Sequence, residues 1–329
     1  MNYELMKKTT AEKIIEYVTE KKQASANELV DFLEISQRAV FSQLANLLTE
    51  NKLIKIGKPP VVFYLLKEEV LARAEVLIDE KTRKALEENF LFITPDGQRK
   101  QGLGGFEYWC EKTKQSVQKT APQYLKTLKK YEAFKKNGLI DGMQKFKTTF
   151  DKVGLDKIFY LDFYSLERFG KTKLGQLLLY AKQSQNKKLM RELAVTIKPK
   201  IDELLEKYAI DGIGFIPPTV KRQVQFMKEL EKNLHENISR VSIVKVKTEI
   251  IVPQKTLNKL ADRIENAKKT LVVDEQRVFK NILLIDDAIG SGATLNETAL
   301  QIKQKKLAKK VIGLAITGSF KGFEVISEV

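Results

Sequence analysis

Two adjacent carboxylates, Asp286 and Asp287, follow directly on an unbroken apolar run, Ile282-Leu283-Leu284-Ile285, and precede a loop of small residues, Ala288-Ile289-Gly290-Ser291-Gly292-Ala293-Thr294. The apolar run has the length and character of a strand buried on both faces. Gly290 and Gly292 let the backbone turn tightly and approach a ligand, so successive amides and the start of a following helix can surround a dianionic phosphate. Ser291 and Thr294 add hydroxyl donors. The paired carboxylates repel such a group and instead suit sugar hydroxyls or a hydrated divalent cation. Phosphate on one side and hydroxyls on the other describe a ribose 5-phosphate.

The elements that must position these residues are readable nearby. Leu295, Ala299 and Ile302 recur at helical spacing after the loop, and Lys309-Lys310 leads into a second apolar strand, VIGLAIT. The whole is a β-loop-α-β unit. At this point the chain resembles the phosphoribosyl pyrophosphate (PRPP) motif of type I phosphoribosyltransferases: four apolar residues, two acids and a small-residue loop ending in Gly-Ala-Thr. The resemblance implies that Asp286 and Asp287 hold the ribose 2′ and 3′ hydroxyls and are the catalytic candidates if transfer occurs. It also implies that Ala288 to Thr294 bind the 5-phosphate, and that Mg²⁺ accompanies the ligand through indirect contact with the two acids.

A weaker resemblance, to the ComF branch of that superfamily, extends over about residues 155 to 320. It is carried by Phe169–Ala194, by the strand and loop Ile213–Arg222, and by the spaced Gln254, Leu257, Arg263 and Asn266. By that resemblance the loop Pro217 to Arg222 meets pyrophosphate, with Lys221 and Arg222 supplying charge. The chain departs from the branch in two places. Arg222-Gln223-Val224-Gln225-Phe226 replaces the usual Arg-Gly-Phe-Asn-Gln run, and a zinc ribbon is excluded because Cys110 is the only cysteine. Lys245, Lys247 and Lys255 read either as a basic loop closing over the site or as solvated surface.

At the other end, Thr10 is the expected cap of a helix running to about Lys22 with Ile14, Ile15 and Val18 inward. A second helix is expected from Ser25, carrying Leu29, Val30 and Leu33. After the turn Glu34-Ile35-Ser36, Ser36 caps a third helix with Val40, Leu44, Leu47 and Leu48 inward and Gln37, Arg38 and Ser42 outward. Two apolar strands then flank Gly57-Lys58-Pro59-Pro60. Three helices and a hairpin resemble the winged helix-turn-helix of bacterial regulators, in which the third helix enters a major groove and the wing meets phosphates. Gln37, Arg38, Ser42 and Lys58 are the expected nucleic-acid contacts.

Between these ends, Lys67 to Asn89 reads as an acidic helical stretch. FLFITPDGQRKQGLGGFEYWC reads as a strand, a Pro95-Asp96-Gly97 turn and a glycine-punctuated loop, with Trp109 and Cys110 in a core. A helix is expected from Pro122 to Asn137, with Tyr124, Leu128, Tyr131 and Phe134 on one stripe and Gly138 as its stop. Gly170-Lys171-Thr172 mimics the end of a P-loop, but Ser165 stands where the first glycine is required.

The formal net charge of +16 is concentrated in residues 111 to 200, where the basic excess raises the local concentration of polyanions. A single histidine beside a single cysteine excludes a disulfide framework, a Cys/His zinc site and most His-based catalysis. No stretch is apolar enough to span a membrane, and the expected setting is cytoplasmic. The expected fold is α/β: a winged helix over 1–67, a basic α-rich connector over 68–150, and over 151–329 a phosphoribosyltransferase-like, mostly parallel sheet flanked by helices. Three functions fit. One is a PRPP- or ribose-5-phosphate-binding protein coupled to nucleic-acid binding. The second is an active transferase moving phosphoribosyl to a nitrogenous acceptor, with Phe320 or Phe323 against the base. The third is an effector of a mobile or antiphage system. A homodimer is compatible with each.

Overall fold

The structure, a computed structural model, describes residues 8–67, 78–218, 222–234, 238–246, 250 and 252–320. The chain divides into two compact units, residues 1–83 and 84–329.

In the smaller unit, α1 (Thr10–Lys21), α2 (Ala26–Leu33) and α3 (Gln37–Thr49) precede a hairpin of β1 (Leu53–Lys58) and β2 (Val61–Leu66). Thr9, one residue before the expected cap, starts α1, because only Thr9 stands three residues before Glu12 and can exchange capping hydrogen bonds with it. Ser25 and Glu28 form the same box on α2, and Ser36 caps α3 as expected. Ile14, Val18, Leu29, Val40, Leu44 and Leu47 converge with Leu53 and Tyr64 in one buried core. Ile15, Val30, Leu33 and Leu48 pack at its margin.

The larger unit is α/β. After α4 (Glu80–Asn89) and a small hairpin of β3 (Leu91–Ile93) and β4 (Arg99–Gln101) come α5 (Gly102–Lys112) and α6 (Val117–Glu132). The hairpin β5 (Lys135–Lys136) and β6 (Leu139–Asp141) follows, then α7 (Met143–Thr149), β7 (Lys157–Phe163), α8 (Lys173–Ser184) and α9 (Lys187–Lys207). Next are β8 (Gly212–Phe215), α10 (Phe226–Leu234), β9 (Ser239–Arg240), β10 (Ile243–Lys245), α11 (Leu260–Thr270) and β11 (Leu271–Val273). Finally, β12 (Phe279–Ile289), α12 (Ala293–Gln304) and β13 (Ala308–Gly318) form the expected β-loop-α-β unit. Seven strands make one sheet in the order β5-β6-β7-β13-β12-β8-β9, parallel from β7 to β9, with the short β5-β6 hairpin antiparallel at one edge.

Strand β12 is central. Ile282 to Ile285 are fully buried, each contributing about 1.5–3 kcal/mol of apolar transfer. Its start is pinned by the Asp211 carboxylate, which accepts from the Lys280 and Asn281 amides at 2.7 and 2.8 Å. Leu283 and Ile285 join Ile312, Leu314 and Ile316 of β13 against α8 and α9, where Leu177, Ala181, Leu193 and Ile197 close the core.

Three expectations for residues 84–150 are corrected. The glycine-rich segment after Gln101 is helix α5, not a loop; Gly105 packs so closely on the Lys100 backbone that an added Cβ would lie 2.7 Å from it. The expected helix Pro122–Asn137 runs instead over Val117–Glu132, and Pro122 lies inside it. Asn137 and Gly138, with φ of 52° and 73°, form the two-residue turn between β5 and β6 rather than a helix stop. Residues 84–150, part of the stretch read as a connector over 68–150, lie in the same compact unit as 151–329, and β5 and β6 extend its sheet. Trp109 and Cys110 are buried as expected.

Candidate functional site

The carboxyl end of β12 opens into a cavity of about 350 Å³ whose wall includes Asp286 to Gly292 and Thr294. This is where an open parallel sheet presents its crevice. The chain passes from strand to helix through only Gly290, Ser291 and Gly292. Gly292 holds φ at +81°, and a Cβ there would lie 2.5 Å from the Phe146 ring, so glycine is required on both counts. The Ala293 amide donates to Ser291 Oγ at 3.3 Å; Ala293 itself is buried and off the cavity wall, unlike the other expected loop residues. Behind the loop, Asn296 in the first turns of α12 is buried. Its Oδ1 accepts from the Gly154 amide at 3.0 Å and its Nδ2 donates to the Lys152 carbonyl at 2.9 Å.

The two acids are not equivalent. Asp286 Oδ1 accepts from the Asp287 amide at 2.8 Å, and burial, reinforced by the neighbouring Asp287 charge, pushes the Asp286 carboxyl well above the usual carboxylate range. Asp287 pairs with Lys182, from the last turn of α8, at 2.6 Å. Burial disfavours the charge of Lys182, but the Asp287 carboxylate more than offsets this and raises the ammonium above its ordinary value.

Arg222 donates from its guanidinium to the Lys182 carbonyl and lines the same cavity, with Ile216, Pro217 and Pro218 after β8. Lys221, expected beside it, lies outside the described residues, as do Lys247 and Phe323. Lys245 is on the wall, its charge disfavoured by burial and favoured by Asp286. Lys255 sits in the short turn Gln254–Thr256, and its side chain is outside the described residues.

Arg263, noted in the sequence only for its spacing, is 5% exposed and reaches the loop: a Cβ on Gly290 would stand 3.2 Å from its Nη1. Its Nε donates to the Leu257 carbonyl at 2.7 Å, and Gln254 Nε2 donates to the Arg263 carbonyl at 3.0 Å. The spaced Gln254, Leu257 and Arg263 therefore come together, whereas Asn266 instead accepts from the Thr270 hydroxyl. Lys182 and Tyr164, which lines the cavity from the end of β7, were not singled out as site residues. Lys182 carries no local signal, since its position one turn from the end of α8 matters only once the sheet is assembled.

Four cations and two carboxylates thus meet on one wall, an arrangement that favours an anionic ligand. Among the described residues no group of three His, Cys, Asp or Glu side chains could hold a metal ion. Gly170-Lys171-Thr172, the rejected P-loop mimic, has a structural role. The Thr172 hydroxyl caps α8 by accepting from the Gly175 amide at 3.0 Å and donates to the Phe163 carbonyl at 2.7 Å.

In the smaller unit Gln37, Arg38 and Ser42 are exposed on α3, as is Phe41. Lys58 ends β1 opposite Val61, its side chain outside the described residues. Among the described residues no helix is long and apolar enough to cross a membrane. No protein-family model matches the chain, and no curated protein matches it.

Proposed function

We propose that the larger unit binds PRPP or a related phosphoribosyl ligand at the tip of β12, and that the smaller unit is a winged helix that binds nucleic acid in response. The observation that carries this reading is the cavity itself: two carboxylates at a buried strand tip, followed by a three-residue glycine loop onto a helix N-terminus. The loop and helix start suit the 5-phosphate, with Arg263 adding positive charge beside Gly290. Asp286 and Asp287 suit the ribose hydroxyls. Arg222 and Lys245 supply charge toward a second anionic group. The cavity volume is of the size small-molecule sites commonly have.

A ligand-sensing role is favoured over transfer by one further observation. Phe320, one of the two residues expected against an acceptor base, stacks on Tyr131 at 4.2 Å and packs with Phe163 and Phe134 and is not part of the cavity wall, while Phe323, the other, lies outside the described residues. Incubation with PRPP, Mg²⁺ and a panel of bases, followed by pyrophosphate assay, tests this. The sensor reading expects tight PRPP binding without sustained pyrophosphate release, and sustained turnover would replace it with the transferase.

A further inference from the structure

The cavity holds one contact that a phosphate-and-ribose pocket does not by itself require. Lys182 Nζ stands 2.6 Å from Asp287 Oδ2, with the two side chains only 34% and 23% exposed. The contact is held from both sides. Lys182 lies in the last turn of α8, where the helix dipole favours a cation, and its carbonyl accepts the Arg222 guanidinium, which ties that turn to the segment after β8. Asp287 therefore already has a protein cation at contact distance.

A divalent ion ligated directly by Asp287 at about 2 Å would have to expel that ammonium or sit against it. Among the described residues Asp286 is the only other acid on the wall, while Arg222, Lys245 and Arg263 add further positive charge. A Mg²⁺ ion ligated directly by the acidic pair fits this donor set poorly, and the sequence resemblance implies no more than indirect contact between Mg²⁺ and the two acids. Resting on the phosphoribosyl reading above, we infer that Lys182 takes the place of a divalent cation at the acidic pair. It holds Asp287 oriented for the sugar hydroxyls, so that the pocket binds a phosphorylated pentose without metal. Lys182 is in this sense a positioning residue, acting through Asp287. Any Mg²⁺ would then enter on the diphosphate of a ligand that carries one, not through the protein.

The experiment uses the full chain and ribose 5-phosphate, which lacks a diphosphate. Isothermal titration is run on wild type, Lys182→Arg and Lys182→Met, in excess EDTA and in excess MgCl₂, after a thermal melt shows that each variant is folded. Wild type and Lys182→Arg are expected to bind with affinities that differ less than about twofold between the two buffers. Lys182→Met is expected to lose at least about tenfold in EDTA and to recover part of that loss in MgCl₂. A parallel Mn²⁺ titration without sugar, read by electron paramagnetic resonance, is expected to find a site in Lys182→Met that wild type lacks. A tenfold loss of wild-type binding in EDTA, undiminished binding by Lys182→Met in EDTA, or a wild-type Mn²⁺ site abolished by Asp287→Asn would each overturn the inference. Failure of folded wild type to bind ribose 5-phosphate in either buffer would refute the phosphoribosyl reading instead. The manganese titration, which needs no sugar, would still decide the role of Lys182.

Discussion

Individual residues in the larger unit are held by constraints that differ sharply even between neighbours. Gly292 combines a left-handed backbone with a ring against its α-carbon, whereas among the described residues the only atom within 4 Å of a Cβ on Gly290 is Arg263 Nη1, the far end of a long side chain, at 3.2 Å. Gly292→Ala should therefore cost about 2–4 kcal/mol in urea denaturation, and Gly290→Ala less than about 1 kcal/mol. Equal losses would contradict that distinction. Glu275 offers a pH test away from the cavity. Its carboxylate accepts from the Arg277 guanidinium at 2.8 and 3.0 Å and from the Ser242, Gln276 and Arg277 amides, with the Arg277 side-chain bonds the largest influence. Together they hold its carboxyl down to about 2, from an ordinary value of 4.5. Because the folded state binds this proton more weakly than the unfolded state, the stabilisation is fully present above pH 4.5 and is lost as pH falls toward 2. Glu275→Gln should cost about 1–3 kcal/mol at neutral pH and flatten the acid limb of the stability curve. An unchanged acid limb would show that Glu275 is not responsible. The loop and its acids were legible in the sequence because they are contiguous; Lys182 and Arg263 were not, because each arrives from a distant helix by tertiary packing.

At the scale of elements, the loop is positioned by the start of α12, and Asn296 is a polar anchor of that start. It bonds the backbone of the turn before β7, where a Cβ on Gly154 would come within 2.5 Å of the Leu300 amide. Asn296→Ala leaves the Gly154 amide without its acceptor and should destabilise by about 1–3 kcal/mol, with weaker ligand binding at temperatures where the fold persists. A thermal melt and a titration on the same sample check both; wild-type values in each would show that the turn holds without Asn296. The β12-loop-α12-β13 unit follows from its pattern of buried run, small-residue turn and helical spacing. The ends of α6 do not. Tyr124, Leu128 and Tyr131 keep helical spacing, and Phe134 extends it beyond the true end at Glu132, which masks the Asn137-Gly138 turn. The dipeptide alone was the available signal, and the hairpin it makes is short enough to leave no alternating apolar pattern. The glycines after Gln101 misled for the opposite reason: Gly105 is selected by contact with Lys100, not by a turn.

For the whole molecule, the α/β sheet was legible from buried strands and helical periods, but the strand order was not, since β7 and β13 pair from opposite ends of the unit. The basic excess and the exposed Arg38 on α3 motivate nucleic-acid binding. Under the proposed function, duplex DNA should shift in a gel at about 100 mM salt, and Arg38→Ala should reduce the salt dependence by about one phosphate contact. PRPP should change the affinity by at least about fivefold. No shift with duplex or single-stranded DNA would remove the nucleic-acid half of the proposal and leave the ligand site untouched. The ligand site is judged most directly by calorimetry of PRPP with wild type and with Asp286→Asn/Asp287→Asn. The account predicts saturable one-to-one binding by wild type and a loss of at least about tenfold in the folded double variant; no heat from wild type, or equal binding by both, would contradict it.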